Sequence, residues 1–139
     1  MPNIQAINTA VYKLLKNDVI LAGLCSVYKG AKRPANTSNP SVTIEAKRLK
    51  PGSGEGIWIC EIVVTAYADI MANRMANHIT FDNIVSRVNE LLVNTEIELD
   101  RAKAQPLIEK ENKGIEWVSA HENEALQEII FELNFIDFG

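Results

Sequence analysis

The chain has 139 residues, 47% of them apolar, and a formal net charge of −4. That length suits one domain with one buried core, and no apolar run reaches the roughly 18 residues of a membrane span. The start, MPNIQAINTAVYKLLKND, lacks a basic segment leading into an apolar block and reads as no secretory signal, while Cys25 and Cys60, far apart and outside any CxxC pair, read as buried, reduced thiols, with a disulfide as the alternative.

Asn3 stands where a helix N-cap belongs. Behind it Ile4, Ile7, Ala10, Val11, Leu14 and Leu15 recur at steps of three and four and form one apolar stripe. A second apolar piece, residues 19–24, breaks at Gly23, and Val27 with Tyr28 adds a short strand. A polar loop then runs from about Lys29 to Pro40. Three segments keep a period of two. In residues 41–47, Val42, Ile44 and Ala46 share one face, and Ser41, Thr43, Glu45 and Lys47 the other. In residues 57–68, Trp58, Cys60, Ile62, Val64, Ala66 and Ala68 are all apolar. In residues 128–137, Ile129, Phe131, Leu133 and Phe135 oppose Glu128, Glu132 and Asn134. The PGSGEG run at 51–56 reads as a hairpin turn between the first two of these strands.

After Asp69 the period changes. Phe81, Ile84, Val85, Val88, Leu91 and Leu92 form a helical stripe with Thr80 as its cap, or with an earlier start near Ala72 through Met75, Ala76 and Ile79. Asn94 reads as the stop. Residues 95–114 are charged, contain Pro106 and Gly114, and show no period. Residues 115–120 read as a fourth strand and 121–125 as a polar turn. The expected fold is α+β: one two-layer domain over 1–139, an antiparallel sheet of about four strands, wet on one face, with two helices packed on the other. Residues 29–40 and 94–114 are expected as flexible arms.

No GxGxxG, Walker, GxSxG or HExxH signature occurs. The glycines of PGSGEG lie between two strands, so no helix N-terminus follows to hold a phosphate. His78, His121, Cys25 and Cys60 are scattered, and only the fold could bring them together as a metal set or a Cys–His nucleophile pair, for which the spacing gives no support. The one enzyme-like feature is Glu45-Ala46-Lys47, a carboxylate and a lysine on one strand face, which resembles a metal-dependent nuclease core of Glu-x-Lys type. That core needs a further acid, and only Asp18 stands upstream of Glu45. The same spacing recurs at Glu111-Asn112-Lys113, and two solvent-facing charges are the plainer reading. The Asn36-Thr37-Ser38 glycosylation signature needs a secretory route that the chain gives no sign of using. No catalytic residue, cofactor or metal is expected.

Four stretches in order resemble the tail terminator (tail completion) proteins of long-tailed bacteriophages. They are VILAGLCSVYKGAKRP after an amphipathic helix, NPSVTIEA leading into the first long strand, IVVTAYAD followed by a helix containing FDNIVSRVNELL, and the closing run WVSAHENEALQEIIFELNFID. The resemblance covers nearly the whole chain and departs at 94–114, which is longer and more charged than the family pattern. It implies a structural virion protein without an active site, assembled in a bacterial cytoplasm. Its partners would be itself in a ring of six, the tail tube protein and the head–tail connector, with DNA passing through the ring and touched only non-specifically. No membrane partner is implied. The nuclease, a neck or head-completion adaptor, and an adaptor that recruits a peptide at a sheet edge are the alternatives.

Charge divides along the chain. Residues 1–50 hold eight Lys or Arg and two acids, +6, and residues 51–139 hold six and sixteen, −10, which together give the −4 of the whole. Such polarity suits head-to-tail contact between copies or phosphate contact at the basic end; a solvated surface of mixed sign is the plain alternative. The expected interface residues are Lys29, Lys32, Arg33, Lys47, Arg48 and Lys50, clustered on one loop and one strand end.

Overall fold

The computed structural model describes residues 3–30, 40–69, 75–117 and 124–138. In chain order it contains α1 (Ile4–Lys16), α2 (Val19–Ala22), β1 (Ser26–Lys29), β2 (Ser41–Pro51), β3 (Ile57–Asp69), α3 (Met75–Leu92), β4 (Ala102–Ala104), β5 (Ile108–Trp117) and β6 (Glu124–Asp137). The class is mixed α+β.

Helix α1 begins at the expected cap: Asn3 Oδ1 accepts the Ala6 N–H at 2.8 Å. Its stripe is buried at Ile7, Val11 and Leu15, and Lys13 and Lys16 occupy the last turn, where cations suit the helix dipole. Helix α3 buries Phe81, Ile84, Val88 and Leu92. Thr80 does not cap it, because the helix has already begun at Met75. Threonine is only mildly unfavourable inside a helix, so upstream residues continue through it. The alternative start near Ala72 lies outside the described residues. The chain leaves α3 at Asn94, whose φ of 61° is the left-handed conformation that ends many helices.

The sheet has six strands instead of about four, and it is mixed instead of antiparallel. Strand β1 runs parallel to β2, from Ser26 opposite Ser41 to Lys29 opposite Ile44. A parallel neighbour needs a long return connection, and the stretch between the two strands is long enough to serve. Strands β2, β3 and β6 pair antiparallel in turn, with β6 paired to β3 along nearly its full length. On the other edge of β6, β4 lies opposite Phe135–Asp137 and β5 opposite Ala125–Glu132, so the two lie end to end. The β2–β3 turn closes as expected: Gly52 N–H donates to the Ile57 carbonyl at 2.7 Å, and Gly56 supplies the φ of +75° that the turn requires.

The three inner faces read from the sequence form the core. Val42, Ile44, Cys60, Ile62, Val64, Ile129, Phe131, Leu133 and Phe135 are buried with the stripes of α1 and α3. Each such large side chain contributes about 1.5–3 kcal/mol by leaving water. The outer face is not uniformly wet, because Ser41, Thr43, Val63 and Thr65 are also buried.

Two parts of the sheet escaped the sequence. Strand β2 continues to Pro51 through a bulge, since Ala46 pairs with Ile62 and Arg48 with Glu61, leaving Lys47 without an opposite number. Strand β5 begins at Ile108, not 115, and the stretch read as irregular holds most of it together with β4. From Ile108 to Glu116 every residue is exposed except half-buried Gly114, so no apolar alternation marks the strand. Register shifts between Glu109 and Glu111 and between Asn112 and Ile115 blur it further. Residues 118–123, which include part of the expected strand and most of the expected turn, lie outside the described residues.

Candidate assembly interface

The bulge decides where the basic residues of β2 go. It shifts the phase of the strand by one residue after Lys47, so Leu49 faces the core opposite Cys60 while Arg48 and Lys50 join the outer face opposite Glu61 and Ile59. Lys47, Arg48 and Lys50 are exposed and form no ion pair among the described residues. Strand β1 covers the edge of β2 only as far as Ile44, so beyond it this edge carries no strand among the described residues. Lys29 sits apart from that row. Its Nζ donates to Thr9 Oγ1 at 3.4 Å and lies 5.7 Å from the Tyr12 ring centroid, which ties it to α1. Lys32 and Arg33 fall outside the described residues. Of the six expected interface residues, three therefore share one edge and one is held elsewhere.

Across the outer face a charged row spans four strands: Arg48 on β2, Glu61 on β3, Glu132 on β6 and Lys110 on β5. Glu61 and Glu132 lie opposite each other, a repulsive pair that the cations at either end offset. Lys110 Nζ is 3.7 Å from Glu132, and Lys113 Nζ is 3.3 Å from Glu128. The Glu128 hydrogen bond raises the pKa of Lys113. The outer face is concave here, with a hollow of about 280 Å³ walled by Arg48 and Lys50 on one side and Lys110 and Glu111 on the other, over Ile59 and Ile130. Sequence reasoning missed this row because the bulge sets its register. The three remaining glutamates of β5, Glu109, Glu111 and Glu116, make no ion pair among the described residues. The charged composition of residues 95–114 was the sequence signal of this edge.

The enzyme-like feature loses its geometry. Glu45 lies opposite Val63 in regular pairing, whereas Lys47 is the bulge residue, so the two do not stand in the simple same-face alternation that the motif needs. Asp18, the upstream acid, is engaged elsewhere: it caps α2 through Leu21 N–H at 2.8 Å and binds Arg87 Nη2 and Nε at 2.6 and 2.9 Å. No group of three or more His, Cys, Asp or Glu that could hold a metal occurs among the described residues. His78 lies in α3, and His121 falls outside the described residues. Cys25 and Cys60 are both free, and burial pushes each thiol up to about 11, so neither is a ready nucleophile at neutral pH. Cys60 is buried as expected, but Cys25 is only half-buried. No described helix is long and apolar enough to cross a membrane.

No family model matches the chain, and no curated protein matches it. Among solved structures, the chain shares its fold with a chain described as "Virion of native gene transfer agent (GTA) particle". The TM-score is 0.78 at 20% identity, and the match covers 95% of this chain and 96% of the other.

Proposed function

We propose that the chain is a structural protein of a phage-like particle, and within it a tail terminator. Copies of the chain close into a ring of six on the head-proximal end of the tail tube, stop its growth and offer a surface to the head–tail connector. The observation that carries this reading is the fold shared over nearly full length with a chain of a gene transfer agent virion. The order of elements supports the finer role: a capped amphipathic helix, a short strand, two long strands, a long helix and a closing antiparallel strand pair.

The reading assigns the work to surfaces, not to an active site. Its partners are further copies of the chain, the tail tube protein and the connector, and DNA threads the ring without being read. The chain is assembled in the bacterial cytoplasm and resides in the virion. The basic residues Lys29, Lys32, Arg33, Lys47, Arg48 and Lys50 face a neighbouring copy or the DNA path. A nuclease role has no comparable support once Lys47 is a bulge residue. A neck adaptor shares the fold-level support but would not govern tube length.

That difference is testable. Deleting the gene from a strain that makes the particle is expected to leave tubes of unregulated length and heads without tails, seen by negative-stain microscopy. Tubes of normal length in the deletion strain would overturn the terminator reading.

A further inference from the structure

Among the described residues two edges of the sheet are open, and they carry opposite charge. Beyond Ile44 the edge of β2 has no neighbouring strand among the described residues and presents Lys47, Arg48 and Lys50. At the far side of the sheet, the outer edge of β5 also lacks a neighbouring strand among the described residues. Its residues from Ile108 to Glu116 are exposed on both faces apart from half-buried Gly114, and Ile108 and Ile115 remain 48% and 49% exposed. Both lysines of β5 are occupied by glutamates of β6, which leaves Glu109, Glu111 and Glu116 as the unneutralised charges of that edge. Glu45 is the one acid on the open stretch of β2.

Strand direction makes the two edges compatible. β2, β3, β6 and β5 are each antiparallel to the next, so β2 and β5 point in opposite directions. A second copy placed alongside without being turned over would bring its β5 antiparallel to the free part of β2, continuing the alternation. We infer that the chain binds further copies of itself edge to edge, the Lys47–Arg48–Lys50 margin of β2 against the Glu109–Glu111–Glu116 margin of β5. This deepens the ring reading and rests on it. The contact is heterologous, so a joined pair retains one free edge of each sign, one on each copy, and repetition closes a ring or runs on as a filament. The bulges and charges of β5 guard an open strand against indiscriminate pairing, while an edge of opposite charge overcomes that guard.

The test is a charge exchange on the full chain, read by sedimentation equilibrium. Variant one carries Lys47→Glu, Arg48→Glu and Lys50→Glu; variant two carries Glu109→Lys, Glu111→Lys and Glu116→Lys. The unaltered chain is expected to sediment as a multiple of its 15.5 kDa mass. Each variant alone, checked as folded by circular dichroism, is expected to fall to the single-chain mass. Mixing the two variants is expected to restore the assembly, because each then offers the other an edge of opposite sign. A single chain carrying all six changes should assemble as well, which keeps the test decisive if one variant fails to fold. An unaltered oligomer indifferent to both reversals, or no recovery with either the mixture or the six-fold variant, would overturn this interface and leave the ring reading standing. An unaltered chain that stays monomeric at its highest attainable concentration would also overturn it, and the tube-length experiment then judges the ring reading separately.

Discussion

Asp18 does two jobs with one carboxylate. It caps α2 and, 69 residues away in sequence, grips Arg87 on α3, so it ties the start of the chain to the helix that covers the sheet. The Arg87 hydrogen bonds, with the Leu21 N–H and the Arg87 charge adding to them, outweigh burial and hold its carboxyl at about 2, below the ordinary 3.8. A folded-state value below the unfolded one means stabilisation that is full above the unfolded value and fades as pH falls toward the folded one. Asp18→Asn is therefore expected to lower the melting temperature at pH 7, and the gap to the unaltered chain should narrow between about pH 4 and pH 2. Thermal unfolding across that range checks it, and a gap that stays constant would contradict the assignment. The Asn3 cap was readable because a cap is local, whereas the expected Thr80 cap failed and the Asp18 cap was not read. The sequence does not show that Asp18 meets Arg87, because that pairing depends on how two helices pack.

At the scale of elements, the bulge in β2 is the feature with the largest consequence. Ala46 and Arg48 already face consecutive residues of β3, so Lys47 adds length without adding a rung. Deleting Lys47 is expected to leave every other pair in register and to cost no more than about 2 kcal/mol. Deleting Ile44 instead would slip Ser41, Val42 and Thr43 by one residue, reverse their faces and disturb the pairing with β1, at a cost above about 4 kcal/mol. Urea unfolding of both deletions checks the contrast, and equal losses would contradict it. The inner faces of β2, β3 and β6 were readable because burial on one side imposes a period of two, as at Ile129, Phe131, Leu133 and Phe135. The part of β5 before Ile115 was not, because a strand exposed on both faces has no apolar pattern to show. The direction of β1 was also hidden, since Val27 and Tyr28 mark a strand but not its neighbour.

For the whole molecule, the split of charge between the two halves of the sequence has a spatial counterpart. Strand β2 closes the basic half and β5 lies in the acidic half, and β3 and β6 stand between them, so part of the linear polarity becomes opposite margins of one sheet. The four basic candidates in the described residues could be named from the sequence. Their division between α1, which holds Lys29, and the open edge of β2 required the register and the bulge. The order of elements was largely readable, and the fold it builds is shared with a chain of a gene transfer agent virion. The most direct measurement is cryo-electron microscopy of the neck of intact particles at a resolution that identifies side chains. A closed ring of this chain between the last tube ring and the connector is the expected result. A particle whose tube meets the connector with no such ring, or a neck in which this chain is absent, would contradict it.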